Sequence, residues 1–219
     1  MEKVLSKWIH TARLPTQGDK NGTMHPMRIH LVRHGHVYNP RDMVYAALPG
    51  FHLSPDGQRQ ADAVAEKLRA RPIVRIVSSP LDRAIETAAP LAERFGLPIT
   101  VDPDLTEWRM LDRWAGHTWE ALQTTFPGEV DAYLFDPANL DFTDESLSDL
   151  AERCAFAVLR HATAGGDTVF VSHQDPVEAL TRRLTSATLD NFHTNKPGHG
   201  EVRSLVSNST GWTAETEPR

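Results

Sequence analysis

Apolar positions along the 219-residue chain follow two rhythms, one of period two and one helical, and their order predicts the architecture. Residues 27–32, MRIHLV, alternate and include β-branched side chains, which predicts a strand. Residues 34–54 break the pattern with Asn39, Pro40, Pro49 and Gly50 and read as a long loop, of the kind that carries function in compact domains. From Ser54 onward, SPDGQRQADAVAEKLRA repeats Ala61, Val64, Ala65 and Leu68 at helical spacing, with Ser54 as a capping residue and Pro55 in the first helical position. A strand over 73–79, a helix over 80–96 closed by Gly96, and a short strand over 98–101 follow. A helix about TWEALQTTF ends at Pro127-Gly128, and a longer periodic helix spans 145–165 and stops at Gly165-Gly166. DTVFVSH (167–173) reads as a buried strand and DPVEALTRRLTSAT as the helix after it, its Arg182-Arg183 pair on a solvated face. The tail segments EVRSLVSNST and GWTAE read as two edge strands.

Strands alternating with helices predict an α/β fold, a three-layer sandwich with a mainly parallel central sheet and helices on both faces. No internal repeat or low-complexity linker divides the chain. Residues 1–26 precede the first strong signal and read as an N-terminal extension, leaving one domain over 27–219. In such sheets ligands bind beyond the carboxyl ends of the strands, so the residues there are the candidates for chemistry.

The first strand delivers Arg33-His34-Gly35, and the second delivers Ser78-Ser79-Pro80 with Arg83 on the first turn of the next helix. The buried strand over 167–173 delivers Ser172-His173. Three separate segments thus bring two guanidinium groups and two imidazoles to one edge of one sheet. Arginine suits phosphate because its planar fork donates two parallel hydrogen bonds, and a helix start adds free backbone N–H groups. The pattern predicts an anion site.

Bulk properties narrow the partners. The formal net charge of −6 argues against non-specific nucleic-acid binding, while a local Arg/His cluster still accommodates an anion. No apolar run approaches the ~20 residues of a membrane helix, and the N-terminus makes a poor secretion signal. Cys154 is the only cysteine; it reads as a small core residue, allows no intrachain disulfide and fits a reducing compartment. The expectation is a cytoplasmic protein with a small-molecule substrate and no nucleic-acid or membrane partner. No pattern sets an oligomeric state.

LVRHGHVYNP, SSPLDRAIETA and VFVSHQDPV resemble the histidine phosphatase superfamily, which includes the cofactor-dependent phosphoglycerate mutases. The likeness runs from about Met27 to the end of the chain and implies a phosphoglycerate mutase-like fold. It implies His34 as the nucleophile that forms phosphohistidine, and Arg33, Arg83 and His173 as phosphate-binding residues. It further implies Glu107, in Leu105-Thr106-Glu107, as the proton donor, with Glu120 and Asp104 as substitutes. Asn39 and Gln174 fall at possible substrate-binding positions. The activity implied is phosphomonoester hydrolysis without a metal or other cofactor. The chain departs from the family pattern at His36, at Asn39 (one position early) and at Gln174-Asp175, where glycine usually follows the histidine. Phe142-Thr143-Asp144-Glu145-Ser146 resembles the family's G-E-S segment, and Gly116-His117-Thr118-Trp119-Glu120 its G-x-W-E stretch.

Three alternatives stand beside this reading. A mutase would share the site, but Trp108-Arg109-Met110 does not match the mutase E-R-H-Y-G segment. A metal-dependent hydrolase would use His34-Gly35-His36 as a ligand pair, but the Asp-His of a binuclear cluster is missing and Arg33 would repel a cation. A non-catalytic domain would bind a phosphorylated partner. Tyr38, Arg41, Tyr45 and His52 either shape a leaving-group pocket or pack over it. Trp108, Trp114 and Trp119 either line its mouth or fill the core.

Overall fold

The computed structural model describes residues 26–215, so the expected extension over 1–26 lies, apart from Pro26, outside the described residues. Six strands form one sheet: β1 (Arg28–Arg33), β2 (Ile73–Ser78), β3 (Ile99–Val101), β4 (Asp167–Ser172), β5 (Val202–Asn208) and β6 (Gly211–Ala214), in the order β3-β2-β4-β1-β5-β6. The first four run parallel; β5 is antiparallel to β1 and β6 to β5.

The helices pack as two outer layers. On one face α1 (Pro55–Lys67) and α2 (Asp82–Phe95) bury Val64, Ala84, Ala88 and Leu91 against Val32, Ile76, Val169 and Val171. On the other, α5 (Leu147–His161) and α6 (Gln174–Thr185) bury Leu150, Cys154, Val177 and Leu180 against Ile29, Leu31, Val77 and Phe170. Between them in sequence lie the short helices α3 (Trp119–Thr125) and α4 (Glu129–Phe135). Because both faces are covered, β4 is buried along its whole length, as its uninterrupted apolar centre requires.

Local chemistry sets the boundaries. Ser54 caps α1 by accepting from Gly57 N, and Ser146 and Asp149 form a reciprocal capping box that starts α5. Gly96, at φ 63°, closes α2 in the left-handed region where a side chain is disfavoured.

Two expectations change and a third is extended. β5 is an interior strand between β1 and β6, so only β6 is an edge. Its polar composition concealed this: Arg203 and Ser204 face buried partners, Glu178 and His30, rather than water. The helix about TWEALQTTF ends before Pro127-Gly128 as expected, but Gly128, at φ 82°, leads into a further short helix, α4, that the pattern did not predict. Arg182 is not on a solvated face. It pairs with Glu178 and donates to the carbonyls of Thr188, Asp190 and Asn191, fastening the chain beyond α6.

Candidate active site

The parallel order β2-β4-β1 places the carboxyl ends of three strands side by side, and the residues just beyond them converge. His34 N donates to Ser172 O at 2.9 Å, and Ser79 N donates to Val171 O at 2.9 Å, so the backbone ladder itself sets the spacing of the three segments. The rings of His34 and His173 stand 5.1 Å apart, edge to face. The Arg83 guanidinium lies 4.7 Å from the centre of the Tyr45 ring, which in turn meets His34 at 6.5 Å. Arg33, His34, Asn39, Tyr45, Glu107 and Gln174 share the lining of one cavity of about 280 Å³.

His34 is held in a single tautomer. Its Nδ1 lies 2.7 Å from Gly35 O, and a carbonyl only accepts, so Nδ1 carries the hydrogen and Nε2 keeps its lone pair. Burial and the nearby Arg83 charge push His34 well below the ordinary imidazole range, so the ring is neutral at neutral pH. A Cβ on Gly35 would stand 2.5 Å from Gly57 O, and one on Gly57 would stand 2.1 Å from His36 O. The first turn of α1 therefore lies directly on the Gly35-His36 backbone, and both positions need glycine.

Near His34, three buried nitrogens have no hydrogen-bond partner among the described residues: Arg33 Nε and Arg83 Nε, both donors, and His173 Nδ1. The remaining contacts of these groups fix their orientation. Arg33 donates from Nη1 to Pro197 O and from Nη2 to His199 Nε2, both at 2.8 Å. Arg83 donates to Ala46 O at 2.6 Å, and Ala46 itself adopts a left-handed φ of 37°. His173 Nε2 meets Ser79 Oγ at 2.8 Å. Burial and Arg83 push His173 well below the ordinary imidazole range, so its ring is neutral here. Buried polar groups normally find partners, so three such nitrogens near His34 are an exception that calls for a ligand able to accept from a guanidinium.

Glu107 enters from the segment after β3, partly buried and lining the cavity. Burial, reinforced by the charge of Asp175, pushes its carboxyl up to about 7, while Trp108 N donates to its Oε1 at 2.8 Å. A carboxyl so placed exchanges a proton near neutrality. Glu120 and Asp104, the substitutes, lie elsewhere: neither lines the cavity, and Asp104 pairs with Arg160. Asn39 lines the cavity, but its amide also closes the loop on both backbone groups of Met43.

Of the loop aromatics, Tyr45 and Trp119 line the cavity, Trp108 and Trp114 are wholly buried in the core, and Tyr38 projects into solvent. His52 pairs with Glu86 instead. Burial pushes the Cys154 thiol up to about 12, so it is inert.

A model of the histidine phosphatase superfamily (branch 1) matches residues 29–217. The chain belongs to this superfamily. Among its relatives, an uncharacterized protein of Mycobacterium tuberculosis is 38% identical over 180 residues, 74% of this chain and 80% of the relative. A glucosyl-3-phosphoglycerate phosphatase of Mycolicibacterium vanbaalenii is 34% identical over 179 residues, 77% of this chain and 79% of the relative. The solved structure of a mycobacterial glucosyl-3-phosphoglycerate phosphatase superposes with a TM-score of 0.75 at 29% identity, covering 87% of this chain and 97% of that one. The phosphoglycerate mutase-like sandwich is therefore the fold of this superfamily member.

Sequence reasoning missed one wall of the site. Lys196, Pro197, His199 and Gly200 form the turn before β5: Lys196 pairs with Asp175 at 2.9 Å, and Gly200 N donates to Arg33 O at 3.1 Å. Tyr133, from α4, donates to Asp175 Oδ2 at 2.9 Å and accepts from Lys196 at 2.6 Å. The missing signal was topological. β5 runs antiparallel to β1, so the segment preceding β5 must lie at the carboxyl end of β1.

Proposed function

We propose that this chain hydrolyses small phosphomonoesters in two displacements through a phosphohistidine at His34. The observation that carries this reading is the fixed tautomer of His34, which leaves Nε2 its lone pair, beside His173 at 5.1 Å and with buried, unpartnered nitrogens on Arg33, Arg83 and His173. His34 Nε2 attacks phosphorus as the P–O ester bond breaks, and Glu107 gives its proton to the departing alkoxide. Water then attacks phosphorus while the Glu107 carboxylate takes the proton; the P–N bond breaks and His34 returns neutral. Both arginine forks stabilise charge on the equatorial oxygens, the main requirement of phosphoryl transfer. A phosphate dianion beside His173 favours its protonated form, so the ring that is neutral in the free protein donates to bound phosphate. Asn39 and Gln174 contact the leaving group from the cavity wall.

The phosphatase names of the relatives support hydrolysis, and they make glucosyl-3-phosphoglycerate the first substrate to test. Phosphate release should be measured over a panel of sugar phosphates, phosphoglycerates, nucleotides and glucosyl-3-phosphoglycerate, with and without EDTA. Turnover of at least one ester, unchanged by EDTA and abolished in His34→Ala, is the expected result. Undiminished activity in His34→Ala overturns the proposal.

A further inference from the structure

Glu107 lies in the short irregular link between two 3₁₀ turns, Pro103–Leu105 and Arg109–Trp114, yet its carboxyl must be placed to within a fraction of an ångström to transfer a proton. Arg153, on α5, supplies the missing frame. Its guanidinium uses all five of its donors on this segment and its support. Nη1 donates to Asp104 O at 2.8 Å and Thr106 O at 2.9 Å, and Nη2 donates to Glu107 O at 3.0 Å. Nε and the other Nη2 hydrogen go to the two oxygens of Glu145, at 2.6 and 3.1 Å. Glu145 also accepts from Arg109 N at 2.9 Å, so the same carboxylate grips the segment on the far side of Glu107. Both side chains are nearly buried, 11% and 7% exposed, and neither lines the cavity around His34.

We infer that Arg153, clamped by Glu145, is the positioning residue that sets Glu107 in place as the proton donor. The inference rests on the reading of Glu107 proposed above. It also assigns a purpose to the Glu145-Ser146 segment that resembles the family's G-E-S stretch: Glu145 anchors the clamp, and Ser146 caps the helix that carries Arg153.

Three carbonyls from residues 104–107 converging on one cation are a backbone arrangement that only a planar, five-donor group satisfies. Lysine at 153 would keep the charge but offer a single point of donation. Ser172, next to His173, adds a further tie by donating to Leu105 O at 2.6 Å. Arg153 and Ser172 thus lock the proton donor to the strand that delivers the phosphate-binding histidine. An ordinary structural strut would lower activity only by lowering the amount of folded protein. A positioning residue acts on one bond: cleavage of the ester whose leaving group needs a proton.

The test compares kcat/KM for phenyl phosphate with kcat/KM for 2,4-dinitrophenyl phosphate, whose leaving group departs without a proton. This parameter reports only the steps through formation of phosphohistidine, and the ratio within one preparation is independent of the fraction folded. Glu107→Gln should lower the phenyl ester roughly 100-fold and the dinitrophenyl ester only a few-fold. Arg153→Lys should show the same selectivity in weaker form, roughly 10-fold against less than about 3-fold, as expected for a displaced acid. Glu145→Gln, which loosens the clamp without touching Arg153, should move the ratio in the same direction. If Glu107→Gln is selective while Arg153→Lys and Glu145→Gln leave the ratio at the wild-type value, the clamp is structural and the inference is overturned. If Glu107→Gln is itself unselective, the assignment of Glu107 has failed, and the inference about Arg153 falls with it.

Discussion

Arg33 donates through Nη2 to His199 Nε2 at 2.8 Å, joining residues 166 positions apart in the wall of the cavity beside His34. Because a guanidinium only donates, His199 must present its lone pair at Nε2 and stay neutral; burial and the Arg33 charge push its pKa down to about 4. The ring also packs against His34 and His36, at centroid distances of 5.7 and 5.3 Å. His199 therefore orients the Arg33 guanidinium, one fork of the proposed anion site, without carrying charge.

His199→Ala should weaken phosphate binding by roughly 10-fold or more, the loss expected for one hydrogen bond to a charged group. The inhibition constant of inorganic phosphate is the direct readout, and His199→Gln, which keeps an acceptor, should recover most of the affinity. Equal inhibition constants in wild type and His199→Ala would show that Arg33 needs no such support.

Glu107 gives the pH dependence. With its carboxyl at about 7 in the folded chain, kcat/KM should fall as pH rises through that value, since the proton donor is lost. Glu107→Gln should remove this alkaline limb along with most of the activity. The stability effect has a definite sign. A carboxyl raised from 4.5 to about 7 contributes stability that is complete below 4.5 and is lost as pH climbs through 7. Glu107→Gln, which resembles the protonated acid, should therefore be the more stable protein at pH 8 by roughly 1–3 kcal/mol, with the difference vanishing near pH 5. Chemical denaturation at the two pH values checks this, and a wild-type protein more stable than the variant at pH 8 contradicts it.

Arg83 exposes the cost of the site. It is 1% exposed, it pairs with no carboxylate among the described residues, and its guanidinium meets the Tyr45 face and Ala46 O. A buried charge without a counter-ion destabilises the fold until an anion arrives. Arg83→Met should raise the melting temperature of the free protein while removing activity, and inorganic phosphate should stabilise wild type but not the variant. Phosphate raising the melting temperature of both proteins equally would place the anion elsewhere.

The sheet, both helix layers and the convergence of Arg33, His34, Arg83 and His173 were legible because they depend on local rules: period-two strands, capped amphipathic helices, and parallel strands whose carboxyl ends lie side by side. Arg33 ends β1 and His34 follows it, His173 follows β4, and Arg83 lies in the first turn of the helix after β2, all positions that such rules locate. Lys196 and His199 were not legible because their placement depends on the register of β5 beside β1, and the polar residues of β5 imitate an edge strand. Asp175 was hidden for a related reason. An acidic residue in the first turn of a helix looks like ordinary capping, whereas here it is buried against Tyr133 and Lys196 beside the proton donor. Gly57 gave no signal as an exception within a helix; its necessity comes only from the tertiary approach of the His36 carbonyl.

The most direct measurement is chemical trapping of the covalent intermediate. Protein mixed with a ³²P-labelled substrate and quenched in alkali should retain acid-labile, alkali-stable label, and peptide mapping should place it on His34 in wild type and nowhere in His34→Ala. Label on another residue, or turnover with no labelled protein on any time scale faster than kcat, contradicts the account.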